Sequence, residues 1–179
     1  MRTLEEDDLR FDFTQSLDAI KFDSFAKASP DGRAFSNWSK VDFIVEREDG
    51  IYFIEVKDPA RPNKADKGNE LFLNKIEKKT LGKKYFNKYM DTFMFRWAEG
   101  KLDKSIYLVA LITLETGLLD SIERQIESNF KHLKKESNRW QRQPMAGCLV
   151  LNLKTWEETF PEWPIRRNSD TENQTSPGA

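Results

Sequence analysis

The sequence predicts an α/β (α+β) fold, a three-layer sandwich in which helices flank a mixed central sheet. Three observations predict it. Residues 41–45 and 51–57 are rich in β-branched and aromatic side chains, which indicates a pair of strands. Residues 106–112 and 148–153 are apolar runs typical of buried strands. Amphipathic helical patterns separate these strands along the chain.

The elements follow in order from these patterns. Near-helical spacing of apolar residues predicts a first helix over residues 13–25. The strand pair comes next and ends at Pro59, because proline cannot extend a ladder. Further helices are predicted over residues 83–99 and 118–135. The order is therefore helix, hairpin, helix, strand, helix, strand.

Composition bounds the organisation of the chain. Residues 1–167 are long enough for one domain with a real core, and residues 168–179 lack large apolar side chains, which predicts a disordered tail. The single cysteine, Cys148, excludes a disulfide framework within the chain. No signal peptide or membrane span is indicated, so we expect a cytoplasmic protein without a membrane partner.

Charge is distributed unevenly along a chain of net charge −1. Residues 60–104 hold twelve Lys and Arg against six acids, whereas residues 1–24 hold seven acids against three bases. This asymmetry is typical either of a nucleic-acid face or of a solvated helix, and composition does not decide between them.

Three polar residues share one face of the predicted hairpin. If Asp49 and Gly50 form a two-residue turn, Asp42 faces Lys57. Because side chains alternate along a strand, Asp42, Glu55 and Lys57 then emerge together, beside a strand pair that is otherwise apolar. Burying these charges is costly unless they serve one another or an ion. Two readings stay open: a metal site, or cross-strand salt bridges.

The metal reading has a definite chemistry. Two carboxylates a few ångströms apart form a hard oxygen site for Mg²⁺. The ion lowers the pKa of bound water and neutralises charge on a phosphate. Lys57, beside the ion, would orient or deprotonate the attacking water, or pair with the charge that develops in the reaction. Asp42 and Glu55 are therefore the candidate metal ligands, and the predicted reaction is hydrolysis of a phosphodiester.

Asp42 followed by Glu55-Val56-Lys57 on the next strand resembles the signature of the PD-(D/E)xK nuclease superfamily, although Val41 stands where a proline often precedes the aspartate. The resemblance implies a restriction-endonuclease-like fold and a Mg²⁺-dependent nuclease in which Mn²⁺ can substitute. It also implies a nucleic-acid substrate, with DNA favoured over RNA. Sequence specificity would come from a homodimer or a protein partner.

The resemblance implies further site residues. The Val56 carbonyl would be an additional metal ligand. The first helix would add an acid, for which Asp18 is the first choice; Asp23, Glu5 and Glu6 are the other acids of this region. The segment after Glu-x-Lys would supply phosphate contacts, with the candidates Lys64, Lys67, Lys84, Lys88 and Arg96. Two rivals remain: a catalytically silent member that binds nucleic acid or a partner protein as a scaffold, and a structural module outside the family.

Overall fold

The structure is a computed structural model, and it describes residues 2–24, 37–59, 61, 72, 74, 76–134 and 137–169. Its strands form two sheets. The larger contains, in spatial order, β3 (Asp18–Lys21), β4 (Phe43–Glu46), β5 (Ile51–Lys57), β6 (Ile106–Ile112) and β7 (Gly147–Leu151). Pairing is antiparallel from β3 to β5 and parallel from β5 to β7. The predicted mixed sheet is therefore confirmed.

The smaller sheet joins the two ends of the chain. It is antiparallel and consists of β1 (Thr3–Glu6), β2 (Leu9–Asp12) and β8 (Ile165–Arg167). Asp7 adopts a positive φ of 54° in the two-residue turn between β1 and β2, a conformation that aspartate tolerates better than most residues. The N-terminal strands are thus held in place by the C-terminal strand.

Two helices connect the parallel strands, as predicted: α1 (Leu81–Ala98), between β5 and β6, and α2 (Thr116–Phe130), between β6 and β7. A further short helix that was not predicted, α3 (Leu153–Thr159), follows β7. At the start of α3, Asn152 and Thr155 form a reciprocal capping box. None of the helices that the structure describes is long and apolar enough to cross a membrane.

Apolar side chains cover both faces of the central sheet. On one face, Ile44 and Phe53 pack with α1 and α2 through residues such as Tyr85 and Ile122. The opposite face of β4 and β5, with Phe43 and Ile54, packs against the small sheet and α3. The second covering layer therefore combines a sheet and a short helix, which differs from the predicted helices on both sides.

The predicted first helix over residues 13–25 is wrong. Its residues follow β2 and then form β3, with one helical turn at residues 22–24. Leu9, Phe11 and Phe13 are fully buried at a spacing of two, which is the period of a strand. Leu17, which completed the apparent helical stripe, is half exposed. The helical spacing arose from residues of different elements.

Candidate metal and phosphodiester site

The β4–β5 hairpin has a register that differs from the predicted one by two residues. Phe43 pairs with Ile54 and Glu46 with Ile51, so Asp42 is level with Glu55 and not with Lys57. The connection spans residues 47–50, closed by a 2.9 Å hydrogen bond from the Arg47 N–H to the Gly50 carbonyl. Because a shift of two residues preserves the alternation of side chains, Asp42, Glu55 and Lys57 still share one face.

Gly50 explains why the turn signal was misleading. Its φ is not positive, whereas a two-residue turn containing Asp-Gly needs positive φ at both positions. A Cβ at Gly50 would lie 2.8 Å from the Tyr107 ring and 2.9 Å from the Ser105 carbonyl. Close packing of the β6 segment therefore requires this glycine.

Asp42 sits immediately before β4, where main-chain contacts fix it. It is 4% exposed. Its main-chain carbonyl accepts from the Phe22 N–H, and its Oδ2 accepts from the Val56 N–H at 2.7 Å. Main-chain contacts therefore hold the buried Asp42 side chain between the β3 segment and β5.

Glu55 lies beside Asp42 on β5 and is 1% exposed. Two ammonium groups compensate its charge: Lys57 Nζ lies 2.7 Å from Oε1, and Lys88 Nζ, which comes from α1, lies 2.5 Å from Oε2. The same ammonium groups lie 3.8 and 3.5 Å from the Asp42 carboxylate. Lys57 also donates to the Val56 carbonyl at 2.5 Å.

Burial and mutual repulsion shape the pKa values of this cluster. Burial, and then the neighbouring Asp42, raise the pKa of Glu55 above its ordinary value even though the two lysines oppose the shift. Burial lowers the pKa of Lys57, but the Glu55 and Asp42 carboxylates outweigh burial and leave that pKa raised. Lys57 is therefore an ammonium group at neutral pH.

Two further acids reach Asp42, and neither is the first choice made from the sequence. One oxygen of each of Glu6, Asp23 and Asp42 lies within 4.8 Å of the others. Glu6 ends β1, and Asp23 follows β3. Asp18 is exposed and pairs with Glu46, so it lies at the far end of β3 from Asp42. Asp18 is therefore not part of the cluster.

The positions of Glu6 and Asp23 follow from the N-terminal strands. Burial, and then Asp42, raise the pKa of Glu6, while Lys21 at 3.0 Å opposes the shift. The alternating Leu9, Phe11 and Phe13 are the sequence signal that would have predicted β2. β1 pairs with β2, and Glu6, the last residue of β1, lies beside Asp42.

The three acidic side chains fit a divalent cation. Carboxylate oxygens are the preferred ligands of Mg²⁺ and Ca²⁺, and two oxygens on one ion can lie at most about 4–5 Å apart. The three oxygens lie within 4.8 Å of one another, which is close to the separation of ligands on one Ca²⁺ ion and slightly above the span of about 4.2 Å on one Mg²⁺ ion. The ligand set predicted from the sequence shares Asp42, but its other members, Glu55 and the Val56 carbonyl, are in contact with lysines.

The predicted phosphate contacts separate into different groups. Lys88 is in the carboxylate cluster. Lys84, one turn earlier on α1, is exposed. Arg96 is a wrong prediction: it is 5% exposed and pairs with Glu99 at 2.9 Å, because the buried stripe of α1 includes it. Lys64 and Lys67 lie outside the described residues.

A second ionic cluster, which we call the brace, consists of Asp58, Arg167, Thr113 and Asp8 and lies at the end of β5. The buried Asp58 carboxylate accepts two hydrogen bonds from Arg167, at 2.9 and 3.0 Å, and one from Thr113 at 2.5 Å. Arg167 also contacts Asp8 at 3.3 Å. A surface cleft of about 600 Å³ opens beside Thr113 and Arg167, so this cleft adjoins the brace and not the carboxylate cluster.

The first two residues of the predicted tail contact the folded domain. The Asn168 N–H donates to the Asp8 carbonyl at 3.0 Å. Ser169 donates to the Asp8 carboxylate from its N–H at 3.2 Å and from its hydroxyl at 2.8 Å. The remaining tail, residues 170–179, lies outside the described part of the chain.

Comparison of the chain with models of protein families, with curated proteins and with solved structures finds no match. The geometry of the site is therefore the basis for a functional interpretation.

Proposed function

We propose that this protein is a divalent-metal-dependent phosphodiesterase that acts on nucleic acid, with a restriction-endonuclease-like core. One observation carries the proposal: the buried Asp42 carboxylate lies within 4.8 Å of the Glu6 and Asp23 carboxylates and shares Lys57 and Lys88 with the buried Glu55. Structural salt bridges alone do not need several carboxylates around one residue, because each additional acid raises the cost of burying Asp42.

The charges of the cluster support the proposal. Among the residues that the structure describes, four carboxylates face three ammonium groups, those of Lys21, Lys57 and Lys88, so with every group in its charged form the sum is one negative charge. One divalent ion would change the net charge to plus one, which a single phosphodiester neutralises. The site therefore matches a phosphodiester only when it also holds a cation.

The roles of the residues follow from their positions. Asp42, Glu6 and Asp23 would hold the ion, with Mg²⁺ favoured and Mn²⁺ as a substitute. When bound, such an ion lowers the pKa of its water and offsets phosphate charge. Lys57 is an ammonium group that pairs with Glu55 and donates to the Val56 carbonyl, so we assign it the orientation of the attacking water and not its deprotonation. Glu55 positions Lys57.

DNA is favoured over RNA on the precedent of the PD-(D/E)xK nucleases that the Asp42 and Glu55-Val56-Lys57 pattern resembles. The order of β3, β4, β5, α1, β6, α2 and β7 is compatible with that class. A chain of this size would take sequence specificity from a homodimer or a protein partner.

A cleavage assay tests the proposed function. Purified protein is incubated with fluorescent single strands, duplexes, flaps and DNA–RNA hybrids in Mg²⁺ or Mn²⁺, with EDTA as the blank. We predict that Lys57→Ala loses metal-dependent cleavage while its filter-binding affinity changes less than a few-fold, because Lys57 acts on the transition state. The matched control is Lys104→Ala, whose ammonium pairs with Glu46 at the far end of β4.

Two results would contradict the proposal. If wild-type protein cuts none of these substrates, the silent-scaffold alternative replaces the enzyme. If Lys57→Ala cuts as fast as wild type, the activity belongs to another site.

A further inference from the structure

We propose that Lys88 and the divalent ion compete for the Asp42 carboxylate, so that binding of the ion releases Lys88 to contact a substrate phosphate. This inference rests on the proposed function. Lys88 would then be a phosphate-binding residue that becomes available only in the metal-bound protein.

An ion bound to Asp42 would lie close to the Lys88 ammonium group. The Asp42 Oδ2 accepts the Val56 N–H at 2.7 Å, which leaves Oδ1 as the oxygen that is not engaged by the main chain. Lys88 Nζ lies 3.5 Å from this Oδ1. An ion on Oδ1 at a normal distance of about 2.0–2.6 Å would meet the ammonium group at close range. Two cations would then share one oxygen in a buried site, where screening by water is weak.

Lys57 and Lys88 differ in how firmly their ammonium groups are held. Lys57 is held within its own strand, by Glu55 at 2.7 Å and the Val56 carbonyl at 2.5 Å. Lys88 reaches the cluster from α1 through a flexible four-carbon side chain, and its contacts are the Asp42 and Glu55 carboxylates. Lys88 is therefore the cation that an incoming ion displaces.

After displacement by the ion, Lys88 is placed to contact a substrate phosphate. Its side chain is already 15% exposed and lies one helical turn from the exposed Lys84. Without Lys88, the four carboxylates, the Lys21 and Lys57 ammonium groups and the ion sum to zero, so the displaced Lys88 supplies the positive charge beside the site. A phosphodiester drawn to the ion would be within the reach of this side chain.

Lysine acetylation measured by mass spectrometry tests the displacement in the wild-type chain. The protein is treated with an amine-acetylating reagent with and without saturating Mg²⁺, and Mg²⁺ binding is measured separately by calorimetry. We expect several-fold faster acetylation of Lys88 when Mg²⁺ is bound. Lys104 is the internal control, because its ammonium also pairs with one glutamate, Glu46 at 2.7 Å, and its side chain is 22% exposed.

The possible results are distinct. Faster acetylation of Lys88 with an unchanged Lys104 supports the inference. If Mg²⁺ binds and Lys88 stays protected, the competition is disproved and the metal site stands. If Mg²⁺ does not bind, both the inference and the proposed function fail.

Two variants give an independent test. Lys88→Met removes the competing cation, so we expect it to bind Mg²⁺ several-fold more tightly than wild type, whereas Lys88→Arg keeps the charge and should not. In Ca²⁺, Lys88→Met should bind an oligonucleotide more weakly than wild type, with a much smaller difference in EDTA. An equal loss in Ca²⁺ and EDTA would show that Lys88 contacts phosphate independently of the metal.

Discussion

Asp42 combines two roles in one side chain. Its Oδ2 satisfies the Val56 N–H, and its carboxylate is the acid common to the Glu6–Asp23 group and the Glu55–lysine group. Removing the side chain would leave a buried N–H without its acceptor, which costs about 1–3 kcal/mol. Asparagine keeps an acceptor in the same place and removes the charge, so it is the appropriate substitution for tests of metal binding.

Cys148 supplies a prediction about pH. Burial raises the pKa of its thiol to about 12, so little thiolate forms at neutral pH. We expect alkylation by iodoacetamide at pH 8 to be at least about a hundredfold slower than for an unfolded chain. Because the pKa lies above the ordinary value, the rate should keep rising about tenfold per pH unit beyond pH 9. A rate that levels off near pH 9 would show an ordinary thiol.

The sequence was sufficient to bring Asp42, Glu55 and Lys57 together, because alternation along strands is a local property. The sequence was not sufficient to predict which N-terminal acids lie beside Asp42, that is, Glu6 and Asp23 and not Asp18. Their positions depend on β1 pairing with β2 and on β3 pairing with β4, which are contacts between distant parts of the chain. Lys88 was foreseen as a phosphate contact, but its ion pairs depend on how α1 packs on the sheet.

Among the contacts between elements, α1 packs closely on α2 at Gly82. A Cβ there would lie 2.2 Å from the Gln125 carbonyl oxygen and 2.3 Å from the Asn129 side-chain nitrogen. Main-chain atoms cannot move aside as a flexible side chain can. The crossing of the two helices therefore depends on a residue without a side chain.

Gly82→Ala should accordingly destabilise the protein, by roughly 1–3 kcal/mol, through overpacking. Helix propensity alone predicts that the substitution stabilises the protein, since alanine is favoured over glycine in a helix by about 1 kcal/mol. The control is Gly117→Ala in the first turn of α2, where the new Cβ would meet nothing within 4 Å. Chemical denaturation of both variants gives the comparison, and equal stabilities would exclude the close approach.

Elements were predicted well where the hydrophobic period was unambiguous. The strand over residues 106–112 is confirmed with the same bounds. The ends of α1 lie within two residues of the predicted ends, and those of α2 within five. The N-terminal helix failed because Phe13, Leu17 and Ile20 have helical spacing but belong to different segments. The predicted β4–β5 register was wrong because Asp49 and Gly50 belong to a four-residue connection, residues 47–50, and not to a two-residue turn.

At the scale of the whole molecule, the two chain ends hold each other. β8 pairs with β2, Arg167 joins Asp58 to Asp8, and residues 168 and 169 hydrogen-bond to Asp8. Lys57 directly precedes Asp58. The C-terminal strand therefore braces the end of the strand that carries the candidate catalytic residues.

Two truncations test this brace. Ending the chain after Ser169 should leave the melting temperature unchanged, because residues 170–179 carry no large apolar side chain. Ending it after Arg167 removes three hydrogen bonds to Asp8, each worth about 0.5–1.5 kcal/mol. We expect that truncation to lower the melting temperature by several degrees. Equal melting temperatures would show that these contacts contribute nothing.

Calorimetric titration with Mg²⁺ tests whether the carboxylates of Asp42, Glu6 and Asp23 bind a divalent cation. We predict binding by wild type, loss in Asp42→Asn, weakening in Asp23→Asn and Glu6→Gln, and no change in the control Asp18→Asn. Each variant is first shown by its melting curve to be folded. Absence of binding by wild type, or undiminished binding by Asp42→Asn, would disprove the metal site.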